Sequence, residues 1–298
     1  MGFSLFSIYK SMDYEKTFKK LILSALDKNT TDIHLQLSNK EQRCEFRTIN
    51  GLIEIKQFKF DQSFFEYIKY ISNLDLLTDL KPQSGRIKIK LNQTEYFIRC
   101  AYFKNYLIET IVLRILNPKN LLTIENLFNE HSIRIRNQIN QSSGLILFSG
   151  STGSGKTTSM FTCLKELKHK KIYSIEDPIE YFYDHLVQLE VNSNQSFNFK
   201  DAIKQVLRHD PNVIVIGEIR DENEAKAAIR CALSGHLVLS TIHSNNAKMT
   251  IERLKDMQIE ENILKEVIKL IVFQELDIDE VNHVRKAKFE FFEFKKNI

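Results

Sequence analysis

Gly150-Ser151-Thr152-Gly153-Ser154-Gly155-Lys156-Thr157 reads GSTGSGKT, the G-x-x-x-x-G-K-[ST] pattern of a phosphate-binding loop. The apolar run Leu145 to Phe148 before it reads as a buried strand, and Thr158 to Leu167 after it reads as a helix. Strand, loop and helix in that order are what a nucleoside triphosphate site needs. Glycines 150, 153 and 155 let backbone N–H groups turn inward, and the helix start adds a favourable field for anions. We therefore expect Gly150, Ser151, Thr152, Gly153, Ser154, Gly155, Lys156, Thr157 and Thr158 to hold ATP. Lys156 is expected to reach the β- and γ-phosphates, and Thr157 to place its hydroxyl on Mg²⁺.

Three later segments supply candidate partners. Val213 to Ile216 is an apolar strand run ending in Gly217-Glu218. A carboxylate at the end of a sheet strand can face such a loop and act on Mg²⁺ or on the attacking water; for Glu218, set after a glycine, activation of water is the favoured role, and a surface acid after a strand is the other reading. Lys171 to Ile175 reads as a strand followed by Glu176-Asp177-Pro178-Ile179-Glu180, either a solvated turn or a site beside a metal ion or polarised water. Leu237 to Thr241 reads as a fourth strand, flanked by His236 and His243. This pair reads either as packed or capping side chains, or as residues that sense the γ-phosphate or link subunits.

These motifs together resemble the type II/type IV secretion, or traffic, ATPases. Glu176 and Glu180 resemble the acidic positions of that family's aspartate box, with Mg²⁺ falling to Glu176 and Thr157. Asp210-Pro211-Asn212 through Asp221 resembles its second ATP motif, and Gly235 to His243 its histidine box. In the amino-terminal half, Thr31 to Leu35 resembles the family's S-D-I-H segment and Pro82 to Arg86 its P-Q-D-G-R turn. Arg99 and Arg114 lie where the family carries arginines that reach a bound nucleotide; their other reading is surface salt bridging. The resemblance implies a catalytic set of Glu218, Glu176, Glu180, His243, Arg99 and Arg114. It also implies a hexameric ring that acts on an inner-membrane platform protein. The chain departs from the family at Ser84, Asn212 and Ser244, each a small residue that still hydrogen-bonds.

Within the family the chain most resembles the competence pseudopilus ATPase of Gram-positive bacteria. Cys44, Cys100, Cys163 and Cys231 are isolated, with no C-x-x-C pair and no zinc spacing. No segment after His243 matches the A-I-R-N-L-I helix of the retraction ATPase. The implied function is assembly of a pseudopilus for DNA uptake. Pilus retraction, type II secretion, a DNA-stimulated translocase and a slow nucleotide-dependent scaffold are the alternatives.

The expected fold class is two-domain α/β. A mixed α+β, PAS-like domain over 1–117 is followed by a linker over 118–133 and a P-loop, RecA-like domain over 134–298 with a helical carboxyl-terminal part. Phe18, Leu21, Ile22 and Ala25 form a helical stripe, and Ser63 to Leu80 reads as one or two helices. Ile251 to Ile271 reads as two further apolar helix faces, and Phe289 to Phe294 as a terminal strand or docking element. A net charge of only +4, without a basic tail, gives no footprint for direct nucleic-acid binding. No apolar stretch is long enough to span a bilayer, so a cytoplasmic protein attached peripherally through a partner is expected.

Overall fold

The computed structural model describes residues 5–39, 41–48, 50–77, 80–116, 122–179, 182–183, 185–191, 198–279 and 284–294. The chain divides into two units, Met1–Pro118 and Lys119–Ile298. Asn117 to Leu121, where the linker was expected to begin, lie outside the described residues.

In the first unit the order is α1 (Leu5–Asp27), β1 (Asp32–Ser38), β2 (Gln42–Thr48), β3 (Gly51–Glu54), α2 (Gln62–Ile71), β4 (Gln83–Leu91), β5 (Thr94–Lys104) and β6 (Ile108–Leu116). The strands form one antiparallel sheet, ordered β3-β2-β1-β6-β5-β4. Phe18, Leu21, Ile22 and Ala25 of α1 recur at helical spacing and are buried with Phe64, Phe65 and Ile68 of α2. They cover one sheet face through Ile33, Leu35, Ile98, Cys100, Ile111 and Leu113. α2 is capped by Asp61, whose carboxylate accepts from the Phe64 N–H. It closes at Ile71, before the end of the 63–80 stretch expected to be helical, where the Ser72 N–H turns back onto the Ile68 carbonyl.

The second unit runs α3 (Ile124–Phe128), a 3₁₀ turn (Asn129–His131), α4 (Ser132–Ile139), β7 (Gly144–Ser149), α5 (Lys156–Lys165), β8 (Ile172–Glu176), β9 (Val187–Glu190), α6 (Phe199–Arg208), β10 (Val213–Ile219), α7 (Glu222–Leu233), β11 (Leu237–Ile242), α8 (Ala247–Asp256), α9 (Glu261–Val267), β12 (Ile268–Asp279) and β13 (Val284–Phe292). Its sheet is ordered β13-β12-β7-β11-β10-β8-β9 and is parallel except for β13.

Every residue of β7 and β11 is buried, as a strand covered on both faces requires. Alternate residues serve opposite cores. Leu145, Leu147, Ile214 and Ile216 pack with α6, α7, α8 and α9, whereas Ile146, Phe148, Val213 and Val215 pack with α3, α4 and α5. This layering aims the carboxyl ends of the parallel strands at one edge, where ligands bind in open α/β sheets.

The carboxyl-terminal part departs from the helical expectation. Ile268, Leu270 and Ile271 belong to β12, which pairs in parallel with β7. The run Ile268 to Phe273 is apolar almost throughout, and such a run suits a strand buried on both faces as well as a helix. Pairing with β7 decides for the strand. The terminal phenylalanines form β13, where Phe289 meets Phe128 at 4.7 Å between ring centroids. Arg134 of α4 binds Glu293 at 2.7 Å, beyond the end of β13.

Candidate nucleotide site

The loop after β7 takes its shape from two contacts that only glycine permits. Gly150 has φ +145°, and a Cβ there would lie 2.3 Å from the Gln274 carbonyl oxygen. Gly155 has φ +91° and precedes α5; a Cβ on it would lie 2.7 Å from the Gln274 side-chain nitrogen. The loop therefore presents bare backbone at the start of a ten-residue helix.

Lys156 is buried, and its Nζ donates to the carbonyls of Gly150 at 3.0 Å and Ser151 at 2.7 Å. It also lies 3.4 Å from Nδ1 of His243. Nε2 of the same ring is 3.1 Å from Oε1 of Glu218. Lysine ammonium, imidazole and carboxylate thus form a line from the loop to the end of β10. A donating lysine makes Nδ1 the acceptor, which leaves Nε2–H to face the carboxylate. The pKa of His243 lies below the ordinary imidazole value, chiefly because of burial and then because of Lys156; Glu218 pulls the other way.

Arg220 engages the second oxygen of Glu218 at 3.2 Å and reaches Asp177 through both its carboxylate, at 3.3 Å, and its carbonyl, at 3.0 Å. Thr241 donates to the Gly217 carbonyl at 2.7 Å, tying β11 to β10 beside Glu218. Glu176 is buried at the end of β8, accepting from Ser174 at 2.6 Å and Gln188 at 2.9 Å. A Cβ on residue 217 would stand 3.3 Å from Cγ of Glu176, so glycine before Glu218 leaves room for the second acid.

A cleft of ≈ 840 Å³ opens over the loop. Thr152, Gly153, Gly155, Lys156, Thr157, Thr158, Glu218 and His243 line it. Leu122, Asn126, Leu127, Asn129, Gln274, Leu276 and Lys286 line it as well. None of these seven was singled out in the sequence. The one signal for Gln274 is a lone amide at the end of an apolar strand run.

The remaining expected residues are placed as follows. Gly150, Ser151, Ser154 and Glu176 lie beside the cleft without lining it. Glu180 falls outside the described residues. His236 does not join His243: it stands before β11, 3.0 Å from the Ser234 hydroxyl, with the whole strand between the two rings. Asn212 lies at the amino end of β10, where its side chain accepts from the Lys171 N–H at 2.9 Å. Its missing charge is therefore at the opposite end of the strand from Glu218.

Arg99 and Arg114 belong to the first unit and are register partners on β5 and β6. Arg86, Arg99, Arg114, Asp32 and Arg47 form one lateral row across five strands. Within it Arg114 binds the buried carboxylate of Asp32 at 2.7 Å.

All four cysteines are buried free thiols, in separate places. Burial pushes Cys44 up to about 12 and Cys100 and Cys231 up to about 11, and it raises Cys163 as well. Among the described residues no group of three or more His, Cys, Asp or Glu is placed to hold a metal ion, and no helix is long and apolar enough to cross a membrane.

Parallel sheet, glycine-shaped loop, buried lysine and facing glutamate define a P-loop nucleoside triphosphatase with a RecA-like core. Comparison with known proteins narrows the class. The chain belongs to the family described as type II/IV secretion system protein, which matches it over residues 10–294. It is 35% identical over 266 residues to the competence protein ComGA of Halalkalibacterium halodurans, covering 87% of this chain and 76% of that one. It is 34% identical over 269 residues to the type IV pilus assembly ATPase PilB of Myxococcus xanthus, covering 88% of this chain but only 48% of PilB. Among solved structures it is similar to the pilus retraction motor PilT with bound ADP, at a TM-score of 0.78 and 25% identity, over 94% of this chain and 83% of that one. The chain is thus a traffic NTPase, an ATP-driven motor of the secretion, competence and pilus group.

Proposed function

We propose that the chain hydrolyses ATP to power assembly of a competence pseudopilus for DNA uptake, acting through an inner-membrane platform protein. The observation that carries the hydrolytic reading is the line Lys156–His243–Glu218 inside the cleft. Phosphates on the loop would draw the Lys156 ammonium away from the two carbonyls it now serves. His243 and Glu218 would then face the γ-phosphate, with Glu218 as the base for water. Thr157 would hold Mg²⁺ through its hydroxyl together with Glu176, and Glu180 is a further acid of the proposed catalytic set; a bound ion would neutralise phosphate charge. Leu122, Leu127 and Leu276 offer an apolar flank suited to the base.

The competence assignment is favoured by the relatives, since ComGA shares 76% of its length with this chain and PilB 48%. In the same reading six copies form a ring at the cytoplasmic side of the membrane. Arg99 and Arg114 reach the nucleotide of a neighbouring copy, and no DNA is touched directly. The strand order β2-β1-β6-β5-β4 supports a PAS-like first unit. The test is genetic: in the source organism, Lys156→Ala or Glu218→Gln abolishes uptake of labelled DNA and leaves protein secretion intact. Loss of secretion with normal uptake would assign the motor to a type II system instead.

A further inference from the structure

We propose that Gln274 is a positioning residue of the phosphate loop, fixing its nucleotide-ready shape from the carboxyl-terminal hairpin. The inference deepens the nucleotide reading above and rests on it.

Gln274 is buried on β12, one residue past Phe273, whose register partner is Ser149 at the end of β7. Its side chain spans two parts of the site. The amide oxygen accepts from the Ser159 hydroxyl of α5 at 2.6 Å, and the amide nitrogen donates to the Ser154 carbonyl at 2.6 Å. The carbonyl of Ser154 can only accept, so the orientation of the amide is chemically forced. The same residue supplies the surfaces against which Gly150 and Gly155 close, with its own carbonyl on the first and its amide on the second. Backbone and side chain of this one residue thus border the loop at Gly150 and at Gly155, just before α5.

The chemistry explains why an amide stands in an otherwise apolar strand. The Ser154 carbonyl must be turned away from a phosphate, because an acceptor facing an anion is repulsive. Turned inward it is buried and needs a donor. Glutamate at 274 would set an acceptor against that carbonyl, and leucine would leave both the carbonyl and the Ser159 hydroxyl unpaired. Gln274 is itself a cleft-lining residue, and Leu276, two positions on along β12, lines the same cleft.

The effect falls on binding rather than on the chemical step, since Gln274 touches the loop and not Glu218 or His243. The test uses the full chain with Gln274→Leu, Ser159→Ala and a control, Ile271→Ala, which truncates β12 on the sheet face away from α5. Mg-ATP and ADP affinities are measured by calorimetry, KM and kcat by steady-state hydrolysis, and melting temperatures without nucleotide. Gln274→Leu is expected to weaken both nucleotides roughly tenfold and raise KM in step, with kcat within about twofold. Ser159→Ala gives a smaller shift in the same direction, and it carries the test if Gln274→Leu does not fold. Ile271→Ala lowers the melting temperature but leaves both affinities unchanged.

Wild-type affinity in Gln274→Leu and Ser159→Ala would overturn the inference, as would an equal loss in Ile271→Ala. A wild-type chain that binds neither nucleotide, like its Lys156→Ala variant, would sink the nucleotide reading and this inference with it.

Discussion

His243 stands between a cation and an anion, and its titration follows from that position. Lys156 lies 3.4 Å from one ring nitrogen and Glu218 3.1 Å from the other. Burial and the lysine hold its pKa below the ordinary 6.5. A depressed folded pKa means the unfolded chain takes up a proton first as pH falls. Stability from this residue is thus complete above 6.5 and is lost as pH drops towards the folded value. The nucleotide-free protein should melt at a lower temperature at about pH 5.5 than at about pH 7.5, and His243→Gln should show a smaller difference. Equal pH slopes in both proteins would contradict the geometry. That Lys156, Glu218 and His243 are candidates for one site was legible because their motifs have fixed spacing. Gln274 was not, because one amide gains meaning only from what the fold places beside it. Of the two readings of His236 the local one holds: it bonds at the end of α7, with the length of β11 between it and His243.

Elements carry the site by where they stop. β10 ends at Ile219, and α7 starts at Glu222 under an Asp221 cap that accepts from the Glu224 N–H at 2.9 Å. Arg220 lies in that short turn, with its own N–H bound to Glu224 at 2.6 Å. The cap therefore also sets the direction from which Arg220 meets Glu218. Asp221→Ala should cost about 1 kcal/mol of stability, the usual worth of an N-cap. A melting curve by circular dichroism checks this; an unchanged midpoint would show that Asp221 does not hold α7. β7, β8, β10 and β11 were readable as short apolar runs. β12 was not, because a run buried on both faces has no period to separate strand from helix. Only its partner β7 distinguishes them.

At the scale of the whole molecule the first unit contributes a row of arginines and the second a cleft. Arg99 and Arg114 are fifteen positions apart in sequence, yet lie side by side in the sheet. Antiparallel register creates that adjacency, and no local pattern reveals it. If neighbouring copies complete the site, Arg99→Ala lowers turnover at least about tenfold with an unchanged melting temperature. Arg114→Ala is the less clean variant, because it also strips the partner from the buried Asp32 carboxylate. Steady-state hydrolysis and thermal melting of Arg99→Ala test the idea, and wild-type turnover would remove the arginine row from catalysis.

Hydrolysis in this cleft is proposed to depend on Glu218. The most direct measurement is steady-state ATP turnover by the purified chain over a concentration series, alongside Glu218→Gln and with ATP affinity measured on both. Turnover per chain should rise with concentration. In Glu218→Gln kcat should be at least about 10²-fold lower, with affinity within about twofold of wild type. Undiminished turnover in Glu218→Gln would contradict the proposal.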